Sequence, residues 1–287
     1  MPDVMTLSAM HLARISTSRL LASTALAALL TAGLAGCKTA KQEITGSIST
    51  QSQPRTEAEW RREAEKWEAL YRAHPGDTVN AIQYAQALRA TGQRAQAVAV
   101  LEQASIKNPN DKTLLGAYGR ALAEVGNYNQ ALEVLSRAHT PELPDWRILS
   151  AQGAVLDQLG RYEEARRYYA AALKIAPDEP SVLSNLGLSY ALAKDLKMAE
   201  TTLRKATEQP GVGPRARQNL ALVVGLQGRF TEAENIARAD LPPDEAAANV
   251  VYLQQMLAQQ QRAEEQKKPS RPAAPPSQRK TKPALRT

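Results

Sequence analysis

The chain holds few thiols and imidazoles. Its 287 residues include one cysteine, Cys37, and three histidines, His11, His74 and His139, far apart in sequence. A thiolate can attack as a nucleophile or hold a soft metal, and an imidazole can carry a proton near neutral pH. One thiol cannot build a disulfide framework or a cysteine-rich zinc site, so thiol redox and structural zinc are set aside. A phosphate cradle needs its glycines bunched before a helix. Here Gly92, Gly126 and Gly160 stand 34 residues apart, and the next two steps of that length land on Lys194 and Gly228. What remains is one thiol and one spacing.

The thiol ends a distinctive stretch. Arg14 and Arg19 precede the apolar run LLASTALAALLTAGLAG, which is short for a transmembrane helix and follows positive charge, as in the core of a signal peptide. The run closes in LAGC, residues 34–37, where small residues lead into the only thiol. This segment resembles the lipobox of bacterial lipoproteins. The resemblance implies a signal peptide over 1–36, removed by a peptidase that needs small flanking residues, with Cys37 as the lipidated first residue of the mature chain. It also implies that Lys38, standing where an aspartate would favour inner-membrane retention, sends the protein to the outer membrane, facing the periplasm. No cofactor is expected beyond that covalent lipid on Cys37. Residues 37–54 are polar and aperiodic, a flexible tether able to span roughly 20 to 25 Å.

The formal charge of +7 suggests nucleic acid only until it is located. Residues 262–287 carry eight Lys and Arg against two Asp and Glu, whereas residues 20–261 carry 26 against 26. The body is neutral, the excess sits in the tail, and export removes cytoplasmic nucleic acid as a partner.

The spacing defines an array. With the recurring glycine as position 15, the units are 78–111, 112–145, 146–179, 180–213 and 214–247. Position 8 is Ala85, Gly119, Gly153, Gly187 and Ala221; position 20 is Ala97, Ala131, Ala165, Ala199 and Ala233. Two antiparallel helices can approach closely only where neither has a side chain in the way, so these columns mark where helix A of each unit presses on helix B. Around them run bulky columns: Leu88, Leu122, Leu156, Tyr190 and Val224 at position 11, and Leu101, Leu135, Tyr169, Leu203 and Ala237 at position 24. Each hairpin then has an apolar face that its neighbour must cover. The glycine ends helix A in a left-handed conformation, and Lys194 predicts a strained or altered turn. Pro109 and Pro177 close their B helices. HTPELPDW predicts an irregular junction. Residues 55–77 read as the B helix of a leading half repeat, with Trp67 in the position 24 column.

These columns resemble the tetratricopeptide repeat. The resemblance implies an all-α fold, a right-handed solenoid of antiparallel helix pairs whose A helices line a concave groove. The implied lining comprises Ile82, Gln86, Arg89, Arg120, Glu124, Arg147, Ser150, Asp157, Asn185, Arg215, Gln218 and Asn219. It offers no carboxylate pair placed for acid and base roles, so no enzyme is expected. Some members of the family grip a C-terminal carboxylate with a Lys, Asn and Arg clamp; the counterparts here, Ile82 with Gln86 and Gly116 with Arg120, depart from it. The lining suits an extended segment or helix of another protein.

The five repeats fill 78–243. After them, residues 244–265 predict a capping helix, with Asp244 as N-cap and Val250, Val251, Leu253, Met256 and Leu257 on one side. Residues 266–287 form a basic, proline-rich tail that predicts disorder, either solubilising or in contact with an anionic envelope polymer. The whole layout, closing in ARADLPPDEAAANVVYLQQML, resembles the TadD family, lipoproteins of the tight-adherence system that assembles Flp-type pili. That resemblance implies a pilotin or assembly factor whose partners are the secretin or other pilus components. Another lipid-anchored repeat adaptor, serving outer-membrane protein insertion or cell-wall enzyme regulation, shares every one of these features.

Overall fold

The computed structural model describes residues 56–267. The signal segment, Cys37, the tether over 37–54 and the tail from residue 268 onward lie outside the described residues. Among these there are twelve α-helices and no strand: α1 Glu57–Ala73, α2 Thr78–Ala90, α3 Arg94–Lys107, α4 Lys112–Glu124, α5 Tyr128–Ser136, α6 Trp146–Gln158, α7 Tyr162–Ile175, α8 Pro180–Leu192, α9 Leu196–Thr207, α10 Pro214–Leu226, α11 Phe230–Ala237 and α12 Pro243–Lys267. The even-numbered helices from α2 to α10 are the A helices of the sequence units, and the odd-numbered ones from α3 to α11 are their B helices.

The first four A helices begin at acidic caps. Asp77, Asp111 and Asp145 accept hydrogen bonds from the backbone N–H of Asn80 at 2.8 Å, Leu114 at 2.9 Å and Arg147 at 2.7 Å, each satisfying a first-turn donor that the helix itself cannot. Glu179 does the same for α8, with Pro180 in its first turn. The ends are equally regular. Gly92, Gly126, Gly160 and Gly228 have φ between +74° and +84°. The N–H that follows each one donates back to the position 11 carbonyl: Gln93 to Leu88 at 2.8 Å, Asn127 to Leu122 at 3.0 Å, Arg161 to Leu156 at 2.9 Å and Arg229 to Val224 at 3.2 Å. This is a Schellman closure. Lys194 takes φ +66°, and Asp195 still donates to the Tyr190 carbonyl at 2.9 Å. The turn at the fourth unit is therefore strained but not altered; the hydrogen bond holds a lysine where a Cβ is disfavoured by about 1–2 kcal/mol.

The small columns lie at the helix crossings. Ala97, Ala131, Ala165 and Ala199 have no exposed surface. A Cβ added to Gly119 would lie 2.5 Å from Leu135 Cγ, one on Gly153 2.7 Å from Tyr169 Cε1, and one on Gly187 2.5 Å from Leu203 Cγ. Position 8 is thus the floor on which the position 24 side chain rests.

The described residues divide into two compact units, with the division between Leu220 and Ala221 inside α10. Within the first, the A helices α2, α4, α6 and α8 each pack on their own B helix, and α3, α5 and α7 each on the A helix that follows; in addition α2 touches α4, α4 touches α6 and α6 touches α8. The A helices therefore form one continuous face across three successive repeats and into the fourth. The leading helix α1 packs on α2 through Tyr71, which is buried with its ring 5.8 Å from that of Tyr84. Trp67 is only half buried, and its indole N–H donates to Glu63 at 2.9 Å. The irregular junction is present: α5 has 9 residues against 14 in α3 and α7, and residues 137–145 contain no helix.

Within the second unit, α11 packs on α12, with Ala221, Ala237 and Ala246 at the centre of a small core. A Cβ on Gly225 would come 2.4 Å from Leu253 Cδ2. Two sequence expectations need correction here. Asp244 is not the N-cap: α12 starts one residue earlier at Pro243, and Asp244 lies in its first turn, where its charge favours the helix dipole. Val251 is 49% exposed. The buried stripe is Ala246, Val250 and Leu253, at spacings of four and three, and Val251 falls about 100° around the helix from it. The helix also runs to Lys267, two residues past the expected boundary of the tail.

Candidate functional site on the A helices

The lining expected from sequence separates into three groups and Arg120. Gln86, Arg147, Arg215 and Gln218 are exposed, and Ile82 is half buried against the core. A second group is engaged in bonds that link successive A helices. Arg89 on α2 donates from Nε to Glu124 Oε2 on α4 at 2.7 Å, with a second bond from Nη2 to Oε1. Asn185 on α8 donates from Nδ2 to Ser150 Oγ on α6 at 3.1 Å, and Asn219 on α10 to Ser184 Oγ on α8 at 3.0 Å. All three links join residues 35 apart, one repeat plus one residue, which is the offset at which neighbouring A helices present side chains to each other.

The third group is Asp157, and here the expectation fails. Asp157 is 8% exposed and belongs to the packing between helices rather than to a solvated lining. Tyr169 on α7 donates its hydroxyl to Asp157 Oδ2 at 2.8 Å, and Ser189 on α8 donates to Oδ1 at 2.7 Å. Burial raises the carboxyl to about 6 despite both hydrogen bonds and the nearby Arg166, which favour the charged form. Tyr169, read from sequence as a packing residue, is therefore also a hydrogen-bond donor. A signal existed in the sequence: the third unit alone has a tyrosine in column 24, and it alone has an acid twelve residues before it.

Arg120 stands apart. Its side chain lies back over α4, with Nη1 3.5 Å from where a Gly116 Cβ would be, and a larger residue at 116 would also strike Ile148 of α6. Desolvation pulls its guanidinium below the usual arginine range; Arg89 and Arg147 add to that, and Asp145 and Glu124 oppose it. Arg147 lies over the ring of Trp146, 4.4 Å from its centroid.

Elsewhere, His139 Nε2 lies 3.1 Å from Gln152 Oε1 in the irregular junction, while His74 caps α1. A surface pocket of about 220 Å³ at the turn between α6 and α7 is lined by Gly160, Arg161, Tyr162, Glu163, Glu164, Arg166 and Ala193. It presents no thiol or serine beside a base. Among the described residues no group of His, Cys, Asp and Glu is arranged to hold a metal, and no helix is long and apolar enough to cross a membrane.

Helix pairs closing on left-handed glycines, small residues at each crossing and a shared A-helix face define a tetratricopeptide-repeat scaffold. Two family matches agree, both described as tetratricopeptide repeat, over residues 88–152 and 147–209. Such folds serve as protein-interaction scaffolds, and neither match is to an enzyme family. Comparison with curated proteins gives no match. Among solved structures the chain is similar to PilW, a type IV pilus biogenesis factor, at 17% identity and a TM-score of 0.58, covering 68% of this chain and 91% of that one. It is also similar to a tetratricopeptide protein of Thermus thermophilus, at 24% identity and a TM-score of 0.55, covering 62% and 98%. At these identities the likeness is one of fold.

Proposed function

We propose that this chain is a non-enzymatic outer-membrane lipoprotein that assists assembly of a Flp-type pilus, binding the secretin or another pilus component along its A-helix face. The observation that carries the reading is the conjunction of that continuous, polar A-helix face with a lone cysteine placed at LAGC. A lipid on Cys37 fixes the location, the tether gives the body reach, and the face supplies the contact. The fold likeness to PilW, itself a pilus biogenesis factor, supports the pilus setting by analogy.

Two steps test it. Cys37→Ser should abolish lipid incorporation and release the body into the periplasm; a variant that stays in the outer membrane sinks the anchor. Photo-crosslinkers placed at Gln86 and Gln218 in intact cells should capture a pilus component, and crosslinks only to unrelated envelope proteins would move the function to another adaptor role.

A further inference from the structure

The first repeats carry an excess of positive charge on the A-helix face that their own carboxylates do not neutralise. Three arginines stand on successive A helices that touch in turn, and Arg89 on α2 and Arg147 on α6 both act electrostatically on Arg120 on α4. Two carboxylates lie among them, and both are committed. Glu124 takes two hydrogen bonds from Arg89. Asp145 caps α6 through the Arg147 backbone N–H. Among the described residues no carboxylate forms an ion pair or hydrogen bond with the Arg120 or Arg147 guanidinium. Arg120 is nonetheless half buried and part desolvated. A guanidinium that is partly desolvated and has no carboxylate of its own gains from an arriving carboxylate, because fewer waters screen the pair.

Resting on the reading of the A-helix face as a protein-binding surface, we infer that Arg120 and Arg147 receive two acidic side chains of an extended partner segment, with a Glu-x-Glu spacing. Residues two apart on an extended chain point the same way and lie about 7 Å apart. Two flexible arginines on adjacent helices, whose axes are roughly 8–10 Å apart, span that separation. The planar guanidinium suits a carboxylate bidentately, Arg147 is held by its stacking on Trp146, and Arg120 is held over Gly116. Arg89 and Glu124 act as the rim that keeps Arg120 from finding an internal partner: Glu124, four residues along the same helix, is turned toward α2 instead.

The test uses the full chain and two fluorescent peptides that differ only in Glu-x-Glu against Gln-x-Gln within a Ser/Thr background. Anisotropy should show the acidic peptide binding, the amide peptide at least about tenfold weaker, and the acidic peptide weakening with rising salt. Arg120→Gln and Arg147→Gln should each lose most of the affinity, while Lys107→Gln, on a B helix, should lose none. The peptide-side change leaves the protein untouched, so a folding defect cannot imitate it. Equal binding of both peptides, or no binding of either, overturns the acidic segment. The crosslinks at Gln86 and Gln218 separate the two readings: capture of a partner that persists in Arg120→Gln leaves the binding face standing and removes only its chemistry, whereas absence of capture removes the face itself.

Discussion

The second and third repeats solve one packing problem with different chemistry. In both, a glycine on the A helix receives the bulky side chain of the B helix, Leu135 over Gly119 and Tyr169 over Gly153, at 2.5 and 2.7 Å from the position a Cβ would take. In the second repeat the contact is apolar and ends there. In the third, the tyrosine carries a hydroxyl into the core, the hydroxyl requires an acceptor, and the buried Asp157 that supplies it draws a second donor, Ser189, from the next A helix. Their A-helix links differ as well: Glu124 of the second repeat is tied by charge to Arg89 of the first, whereas Ser150 of the third is tied by a neutral bond to Asn185 of the fourth. The difference teaches that the period fixes the backbone approach, while the non-repeating residues decide what each interface and each face can do.

The largest effect tests whether the packing is common to both repeats. Ala131 and Ala165 are equivalent and have no exposed surface. Ala131→Leu and Ala165→Leu should each force the helices apart at a cost of roughly 1–3 kcal/mol, read as a fall in Tm or in the denaturant midpoint. Matched losses support one shared geometry. A loss confined to the second repeat would mean that the polar core of the third yields to the added volume, and that the two interfaces are not equivalent.

A smaller effect isolates the polar core of the third repeat, through pH. The Asp157 carboxyl, ordinarily near 4, is raised to about 6 by burial. Its neutral form is thus favoured in the folded state, so its contribution to stability is full below the unfolded value and is lost as pH rises through about 6. At pH 8 the buried charge costs on the order of 1–2 kcal/mol, after allowing for relaxation around it. Asp157→Asn should recover that amount at pH 8 and match the parent near pH 4, as measured by urea unfolding at both values. A variant less stable than the parent at pH 8 would show that the two donors and Arg166 outweigh desolvation.

What the sequence made legible follows the same division. Columns 8, 11, 15, 20 and 24 are statements about backbone approach and turn geometry, and these recur, so they could be read with no structure: the glycine φ values, the Schellman bonds and the buried alanines all match. Lys194 was legible as an exception, though not its outcome, because the hydrogen bond that retains the turn depends on the backbone alone. Asp157 was misplaced because a position in a repeat says which way a side chain points, not whether a neighbour two columns away offers it a bond. Val251 is as apolar as Val250, but a 100° turn per residue carries it off the buried stripe. The Arg120 environment was not legible at all, since three arginines at positions 12, 9 and 2 of successive units have no common register in the sequence.

The smallest effect concerns those outer faces, and it distinguishes them by their response to salt. Arg89 and Glu124 each keep about a third of their side-chain surface exposed, so their pair sits where water and ions screen it. A double-mutant cycle with Arg89→Ala and Glu124→Ala should give roughly 0.2–1 kcal/mol of coupling at low ionic strength, fading in 1 M salt. Asn185→Ala, which removes the amide donating to the buried Ser150 at 3.1 Å, should cost about 0.5–1.5 kcal/mol at either salt concentration, because a neutral bond has no long-range field to screen. The reason to expect a contrast is that both links do the same mechanical work, tying neighbouring A helices at a 35-residue offset, and differ only in charge. If the two respond alike to salt, then the charge on the second repeat is not exposed to the solvent that a partner would replace, and the comparison between the faces loses its functional meaning. If they diverge, the second repeat holds the part of the face that ionic conditions can tune, and an acidic partner would bind where that tuning is strongest.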